Sequence, residues 1–152
     1  MNSELAQAIS ALAILRREHQ ELLMLFENYQ RRSSQNAKSL LLRRLCEQTR
    51  LHFTIEAGVF YPALFKNSSY CPVLAAVGEE YAEVIDLVNE LADPSWIPAS
   101  RQRCVVTLSK LVQTHVTIAE VPGGLFETAT KQSLDWPQVE AGLLRRRREL
   151  EG

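Results

Sequence analysis

Hydrophobic residues recur along much of the chain in alternating steps of three and four, which places them on one face of a helix. The first series consists of Leu12, Leu15, His19, Leu22 and Phe26. Three later segments carry similar series, and polar or Gly/Pro-rich stretches separate them. Because hairpin dipeptides and alternating strand patterns are missing from the sequence, the pattern predicts a left-handed helical bundle.

The breaks in this periodicity define the expected helices. They fall at residues 32–36, 66–72, 93–98 and 122–124. Four long helices are therefore predicted near residues 3–31, 37–65, 71–92 and 99–120, and a short one near 125–131. A last helix is expected to start at Pro137, with Asp135 as its N-cap, and to end near Leu150.

The expected fold is all-α, an antiparallel up-down four-helix bundle with an additional C-terminal helix. Links between the four long segments are short, which favours antiparallel neighbours. We assign the bundle to residues 1–131 and treat residues 132–152 as a C-terminal helical extension of the same domain. A chain of 152 residues is long enough for one domain with a sizeable core.

Polar side chains interrupt the inward-facing seam of each long helix. The chain has three histidines, His19, His52 and His115, and each lies on the seam of a different helix. Glu56 follows His52 by one turn on the same face, and Tyr81 takes the seam position of the third long helix. Counting about 1.5 Å per residue from the helix ends puts these side chains in one core layer, with His115 displaced by about one turn.

A buried layer of this composition favours a metal site. A carboxylate buried without a partner is strongly disfavoured, and imidazole with carboxylate is a ligand set for Fe, Mn or Zn. A single seam histidine is more often a hydrogen-bonded core residue, but three near one level with Glu56 reverse that expectation. The alternative is a decayed bundle, in which the histidines pack with Tyr81 and Glu56 through hydrogen bonds alone.

The spacing of these residues resembles the hemerythrin (HHE cation-binding) family. The family pattern is a histidine on helix 1, H-x-x-x-E on helix 2, a histidine on helix 3 and H-x-x-x-E on helix 4. The segment L-R-R-E-H ending at His19 resembles the first part. The segment H-F-T-I-E from His52 to Glu56, followed by V-F-Y-P at 59–62, resembles the second and is the most specific match.

The third and fourth parts of the family pattern are altered in this chain. Tyr81 stands where the family usually has histidine. His115 begins H-V-T-I-A-E, in which Ala119 replaces the second glutamate and Glu120 comes one residue late, about 100° further round the helix. The resemblance spans roughly residues 5–130, and a C-terminal helix is also usual in the family.

The resemblance implies an iron site. Hemerythrins hold two irons that share two bridging carboxylates, with an open position for O₂. The loss of one bridge and one histidine leaves two interpretations, a mononuclear site and an altered di-iron site with a phenolate ligand that would favour Fe(III). The candidate metal ligands are His19, His52, Glu56, His115, Tyr81 and Glu120. Iron is the expected cofactor, and the ligand set also suits another divalent metal.

The implied function is binding of non-haem iron that interacts with O₂, NO or peroxide, for sensing, redox protection or iron handling. The sequence does not distinguish a binding protein from an enzyme, because both need an iron with an open position. The alternative is a metal-free, degenerate hemerythrin-like bundle that acts as a protein-interaction module. The expected partner is a small diatomic or peroxide ligand, and a homodimer or a protein partner is left open.

Composition and charge exclude some other classes of function. Hydrophobic residues make up 46% and charged residues 23%, the balance of an ordinary globular protein. The formal net charge of −1 gives no field that favours nucleic acid or an anionic membrane, so neither is an expected partner. We interpret the run Arg145–Arg148 as a solvated helix C-terminus, where cations complement the helix dipole.

Cysteine usage and the N-terminal apolar run favour a cytoplasmic location. Cys46, Cys71 and Cys104 are far apart and form no metal-binding pair, so reduced thiols are expected. Cys46 and Cys104 are predicted to be small core residues, and Cys71, before Pro72, is a candidate reactive thiol. The apolar run at 5–15 follows Glu4 and is too short to span a bilayer, so we interpret it as helix rather than signal peptide.

Overall fold

In the computed structural model of the protein, residues 3–66, 71–93, 95 and 98–152 are described, with the side chains of 71–74 left aside. These residues form helices and connecting turns, with no strand among them, as the all-α prediction requires. A π-helical turn, Glu56–Phe60, joins the second helix to the third. The helices are α1 (Ser3–Arg31), α2 (Gln35–Ile55), α3 (Tyr61–Phe65), α4 (Cys71–Leu91), α5 (Pro98–Glu120), α6 (Leu125–Thr130) and α7 (Trp136–Glu151).

The four long helices form a closed ring. Helix α1 packs against α2 and α5, and α4 packs against the other sides of α2 and α5. Helix α7 lies along α1, α2 and the π turn, and α6 packs against α5 and α1. The predicted four-helix bundle with an additional C-terminal helix is therefore confirmed.

Local sequence features fix where the helices begin. The Ser34 hydroxyl accepts a hydrogen bond from the backbone N–H of Ala37, and the Asp135 carboxylate accepts one from Gln138, so both act as N-caps. Helix α7 starts at Trp136, directly after the predicted cap. Gly123 turns the chain between α5 and α6 with φ of 78°, a conformation that costs a glycine little.

Two apolar clusters fill the bundle on either side of the histidine level. The proximal cluster lies on the α7 side, and the distal cluster lies at the opposite end. Helix α1 contributes to both, since Leu15 belongs to the proximal cluster, Leu22 to the distal cluster, and His19 lies between them. The proximal cluster includes Leu12, Leu15, Ile55, Phe60, Phe126, Trp136 and Leu143, and the distal cluster includes Leu22, Leu45, Cys46, Val88, Cys104, Leu108 and Val112.

Two of the three thiols are core residues. Cys46 and Cys104 are free and buried in the distal cluster, and burial raises the pKa of Cys46 to about 11, so its thiol stays protonated. The side chain of Cys71 lies outside the described residues, and its reactivity stays a prediction. Within the described part of the chain, no helix combines the length and hydropathy needed to cross a membrane.

Candidate metal centre

Four polar side chains meet between the two apolar clusters. His19 of α1, His52 of α2, Glu56 at the start of the π turn and His115 of α5 are all buried, with 3% or less of their surface exposed. One potential ligand atom from each lies within 4.8 Å of the others. We call these four residues the inner group, and the structure brings them together at the level that the sequence predicted.

The histidines converge on the carboxylate through their Nε2 atoms. The Nε2 of His52 is 3.1 Å from Glu56 Oε1, and the Nε2 of His115 is 3.0 Å from Glu56 Oε2. The Nε2 of His19 is 3.4 Å from Glu56 Oε1, the same distance that separates the Nε2 atoms of His52 and His115. Three nitrogen donors and one carboxylate therefore surround a single point in the bundle.

Each histidine also contacts a glutamate through its other ring nitrogen. We call these glutamates the outer carboxylates. Such a partner makes Nδ1 the proton-bearing nitrogen and leaves the Nε2 lone pair facing inward, as in carboxylate–histidine–metal arrangements. The three pairs are Glu18 with His52 (2.7 Å), Glu80 with His115 (2.8 Å) and Glu120 with His19 (2.5 Å).

The centre of the inner group has unsatisfied hydrogen-bonding capacity. His19 Nε2 and Glu56 Oε1 are buried, and although imidazole nitrogens lie 3.1 and 3.4 Å from this oxygen, neither atom makes a well-aligned hydrogen bond. A buried polar atom without a partner costs about 1–3 kcal/mol, and a further group at the centre would relieve such a cost. A cation between the Nε2 atoms and Glu56 would satisfy both atoms, and three imidazoles with one carboxylate form a donor set that suits Fe, Zn or Mn. The residues present therefore fit a metal ion.

The charges around the inner group also favour a bound cation. Arg147 pairs with the outer carboxylate Glu18 at 2.9 Å, and Arg16 pairs with Glu120 at 3.2 Å. With neutral imidazoles, the inner and outer carboxylates exceed these two guanidiniums by two negative charges. A divalent cation at the centre would neutralise that excess, and it would lie beside Glu56, whose buried charge is costly without a partner.

The carboxylate and two of the histidines of the inner group shift one another's pKa values in opposite directions. Burial raises the pKa of Glu56, but the charges of His52 and His115 outweigh it and hold that pKa well below its usual range. Burial lowers the pKa of His52 and His115, but the Glu56 carboxylate outweighs it and raises both. A metal ion would compete with protons for the same Nε2 atoms, so binding of a metal would favour the deprotonated imidazoles.

The π turn positions Glu56. Pro62 has no amide hydrogen, and its ring clashes with the carbonyl four residues earlier, so a regular α-helix cannot continue through it undisturbed. The backbone N–H of Tyr61 instead bonds to the Glu56 carbonyl five residues earlier. The Tyr61 hydroxyl donates to Glu56 Oε2 at 3.0 Å. The F-Y-P segment therefore supports Glu56, and such π turns are frequent at functional sites.

Two predicted ligands lie elsewhere. Tyr81 is half-buried against the distal cluster and makes no hydrogen bond to the inner group, so its role as a ligand stays a prediction. Its neighbour Glu80, about 100° round α4, meets His115 instead. Glu120 contacts the outer nitrogen of His19 rather than the centre, because its place one residue after Ala119 directs it toward α1.

The arginine run was only partly understood from sequence. Arg147 is 27% exposed and reaches back to Glu18 on α1, whereas Arg145 is 70% exposed. Glu18 and Glu80 were also missed as functional residues. A clue was available for the outer carboxylates, because each of the three directly precedes or follows a seam position.

Comparison with known proteins agrees with this geometry. The sequence profile described as Hemerythrin HHE cation binding domain matches residues 10–120. The chain belongs to this family. The matched region of this hemerythrin-like protein contains the whole inner group and all outer carboxylates, and it ends before α6 and α7. Neither the curated proteins nor the solved structures gave a match to the chain.

Two tyrosine variants test which phenol influences the centre. We expect Tyr61→Phe to weaken metal binding about fivefold, because Glu56 loses a hydrogen bond worth about 1 kcal/mol. Tyr81→Phe should leave affinity unchanged, since its hydroxyl does not contact the inner group. Isothermal titration with Fe(II) under anaerobic conditions measures both. A visible absorption band of the ferric protein that disappears in Tyr81→Phe would restore Tyr81 as a ligand.

Proposed function

We propose that this hemerythrin-like protein binds one non-haem iron ion through His19, His52, Glu56 and His115. The observation that carries the proposal is the convergence of three Nε2 atoms on one buried carboxylate, with two central atoms lacking a well-aligned hydrogen bond. Bound iron would supply redox chemistry and an open position for O₂, NO or peroxide. The outer carboxylates would orient the imidazoles, and the apolar clusters would exclude bulk water.

A single iron is favoured over a pair. Ala119, at the position of the second family glutamate, is 2% exposed and belongs to the proximal cluster, so it offers no ligand atom. Glu120 is engaged by His19 and Arg16, and Tyr81 packs against the distal cluster. The ligands that a second iron would need are thus replaced or occupied, which supports a mononuclear centre.

The surroundings of the inner group suit a small ligand. The Phe126 ring stacks on His19 with centroids 5.5 Å apart, and the Phe53 ring lies 4.5 Å from that of His115. A cavity of about 10 Å³ touches Glu18 and His52. That volume is on the scale of one water molecule, but the cavity lies on the outer side of His52 and touches none of His19, Glu56 and His115. The support for a small ligand is therefore the close packing of the two aromatic rings around the inner group.

The biological role that we propose is sensing of O₂, NO or peroxide, redox protection or iron handling. These roles share one requirement, an iron held rigidly by protein side chains with a position open to a small molecule. We also propose that the protein acts in a reducing cytoplasm, which is supported by the free thiols of Cys46 and Cys104.

Metal analysis tests the proposed function directly. The full chain, expressed with added iron and also loaded anaerobically with Fe(II), is analysed by mass spectrometry for metal and by optical spectroscopy before and after NO addition. We expect one iron per chain and a spectrum that changes with NO. Absence of metal after Fe(II) loading would overturn the proposal and favour the metal-free interaction module.

A further inference from the structure

Helix α7 contacts one of the outer carboxylates although it lies outside the region that matches the family profile. The Nη1 of Arg147 donates to Glu18 Oε2 at 2.9 Å, and Glu18 Oε1 accepts from His52 Nδ1 at 2.7 Å. The Nε of Arg147 donates to Glu151 at 2.9 Å, which restrains the guanidinium from the other side. A continuous chain of contacts thus runs from α7 through α1 to His52 of α2.

We propose that Arg147 is a positioning residue for the metal centre, which holds Glu18 so that His52 keeps its Nε2 directed at the metal. This inference rests on the proposed function. Arg147 does not touch the inner group and acts only through Glu18. It extends the centre beyond the matched family domain and gives the C-terminal helix a functional role.

Burial explains why Glu18 in particular needs an arginine. Among the outer carboxylates, Glu18 is 5% exposed, whereas Glu80 is 26% and Glu120 is 21% exposed. Water has access to Glu80 and Glu120, and Glu120 also pairs with the exposed Arg16, but water has little access to Glu18. A buried carboxylate with an unpartnered oxygen is costly, so the guanidinium decides whether Glu18 stays at His52.

The docking of α7 makes this contact rigid. Trp136, Val139 and Leu143 are buried in the proximal cluster, and Ser10 of α1 donates to Glu140 at 2.8 Å. These contacts fix α7 along α1, with Arg147 one turn beyond Leu143 on the same helix face. A side chain anchored on a packed helix loses less freedom on forming an ion pair than one on a mobile terminus.

The first test compares Arg147→Gln with Arg148→Gln in the full chain. Both variants remove one charge from the same run, and Arg148 is exposed, so it is a matched control. We expect Arg147→Gln to lose Fe(II) to a chelator about tenfold faster than the wild type, the lower end of the usual effect of losing an outer partner of a ligand. Arg148→Gln should match the wild type, and Arg147→Lys, which keeps the charge, should fall between them.

The second test does not depend on metal. In the metal-free protein, nuclear magnetic resonance measures exchange of the His52 ring N–H with water. We expect about tenfold faster exchange in Arg147→Gln and no change in Arg148→Gln, because a mobile Glu18 exposes that proton. Unchanged His52 exchange in Arg147→Gln and Arg147→Lys would overturn the positioning role.

The two measurements separate the inference from the proposed function. Failure of the wild type to take up Fe(II) refutes the metal proposal, whereas the exchange comparison still tests the contact from Arg147 to His52. Iron uptake with equal loss rates in Arg147→Gln and Arg148→Gln would instead refute the inference alone. Thermal unfolding of each variant verifies that it is folded. If Arg147→Gln does not fold, the comparison is made with Arg147→Lys instead.

Discussion

Glu56→Gln is expected to weaken iron binding more than about 100-fold while the bundle stays folded. Glu56 is the only anion in the inner group, and all three Nε2 atoms lie within 3.4 Å of its oxygens. The amide has nearly the same shape but no charge, and one of its terminal atoms becomes a donor that repels a cation. Loss of partners outside the ligand set already costs 10–100-fold, so loss of a charged ligand should exceed that.

The control for this variant is Glu47→Gln, which removes the same charge from an exposed position of α2. Fe(II) affinity is measured by competition with a chelator, and folding by circular dichroism and thermal unfolding. We expect Glu47→Gln to bind like the wild type. Equal iron affinity in Glu56→Gln and Glu47→Gln would show that iron binds elsewhere in the chain and would contradict the proposed ligand set.

Leu143→Ala is expected to lower the free energy of unfolding by about 2–5 kcal/mol, the range for a buried leucine that leaves a cavity. Leu143 is 1% exposed and joins Trp136 and Val139 in anchoring α7 to the proximal cluster. Its neighbour Leu144 is 42% exposed. Leu144→Ala should therefore change the free energy of unfolding by no more than about 0.5 kcal/mol.

Urea unfolding followed by circular dichroism measures this pair of variants. Because both remove the same atoms from adjacent positions of one helix, helix propensity affects them alike, and the difference reports burial alone. Similar midpoints for Leu143→Ala and Leu144→Ala would mean that α7 does not pack on the bundle as described. That outcome would also remove the structural basis for the contact between Arg147 and Glu18.

Much of the fold could be predicted because local rules determine it. Helix periodicity and breakers placed α1, α4 and α5 within a few residues of their observed ends, whereas the single helix predicted at 37–65 is divided by the π turn into α2 and α3. Asp135 was identified as a cap from its position before Pro137. The three histidines were assigned to one layer because each replaces an apolar residue in a seam. A seam position faces the bundle axis whatever the neighbouring helices are, so sequence spacing is sufficient there.

The outer carboxylates could not be assigned in the same way. Glu18, Glu80 and Glu120 lie one position off the seam, about 100° round their helices, where a side chain faces the adjacent helix. Glu18 directly precedes His19 on α1, yet its carboxylate contacts His52 of α2. The assembled bundle decides which helix is the neighbour of each outer carboxylate and how far along the bundle axis its histidine lies.

Tyr81 and Tyr61 show most clearly where sequence spacing fails to predict the contacts of a side chain. The spacing of Tyr81 along the sequence matches the histidine layer, but in the packed bundle its ring lies against the distal cluster. The residue of α4 that contacts His115 is Glu80. Tyr61 has no seam signature. It reaches Glu56 only because the π turn before Pro62 brings the fifth residue onward back to the carboxylate.

The sequence by itself determined the helices and the seam, because these depend on period, caps and breakers within single segments, and it included the four residues of the inner group among six candidate ligands. Only the tertiary structure decided which carboxylate orients which histidine, which phenol reaches Glu56, and that Arg147 turns inward from a run of arginines. Those contacts join residues up to 129 positions apart and depend on the relative rotation and height of packed helices. Local sequence patterns do not encode that rotation, since many packings bury the same seam.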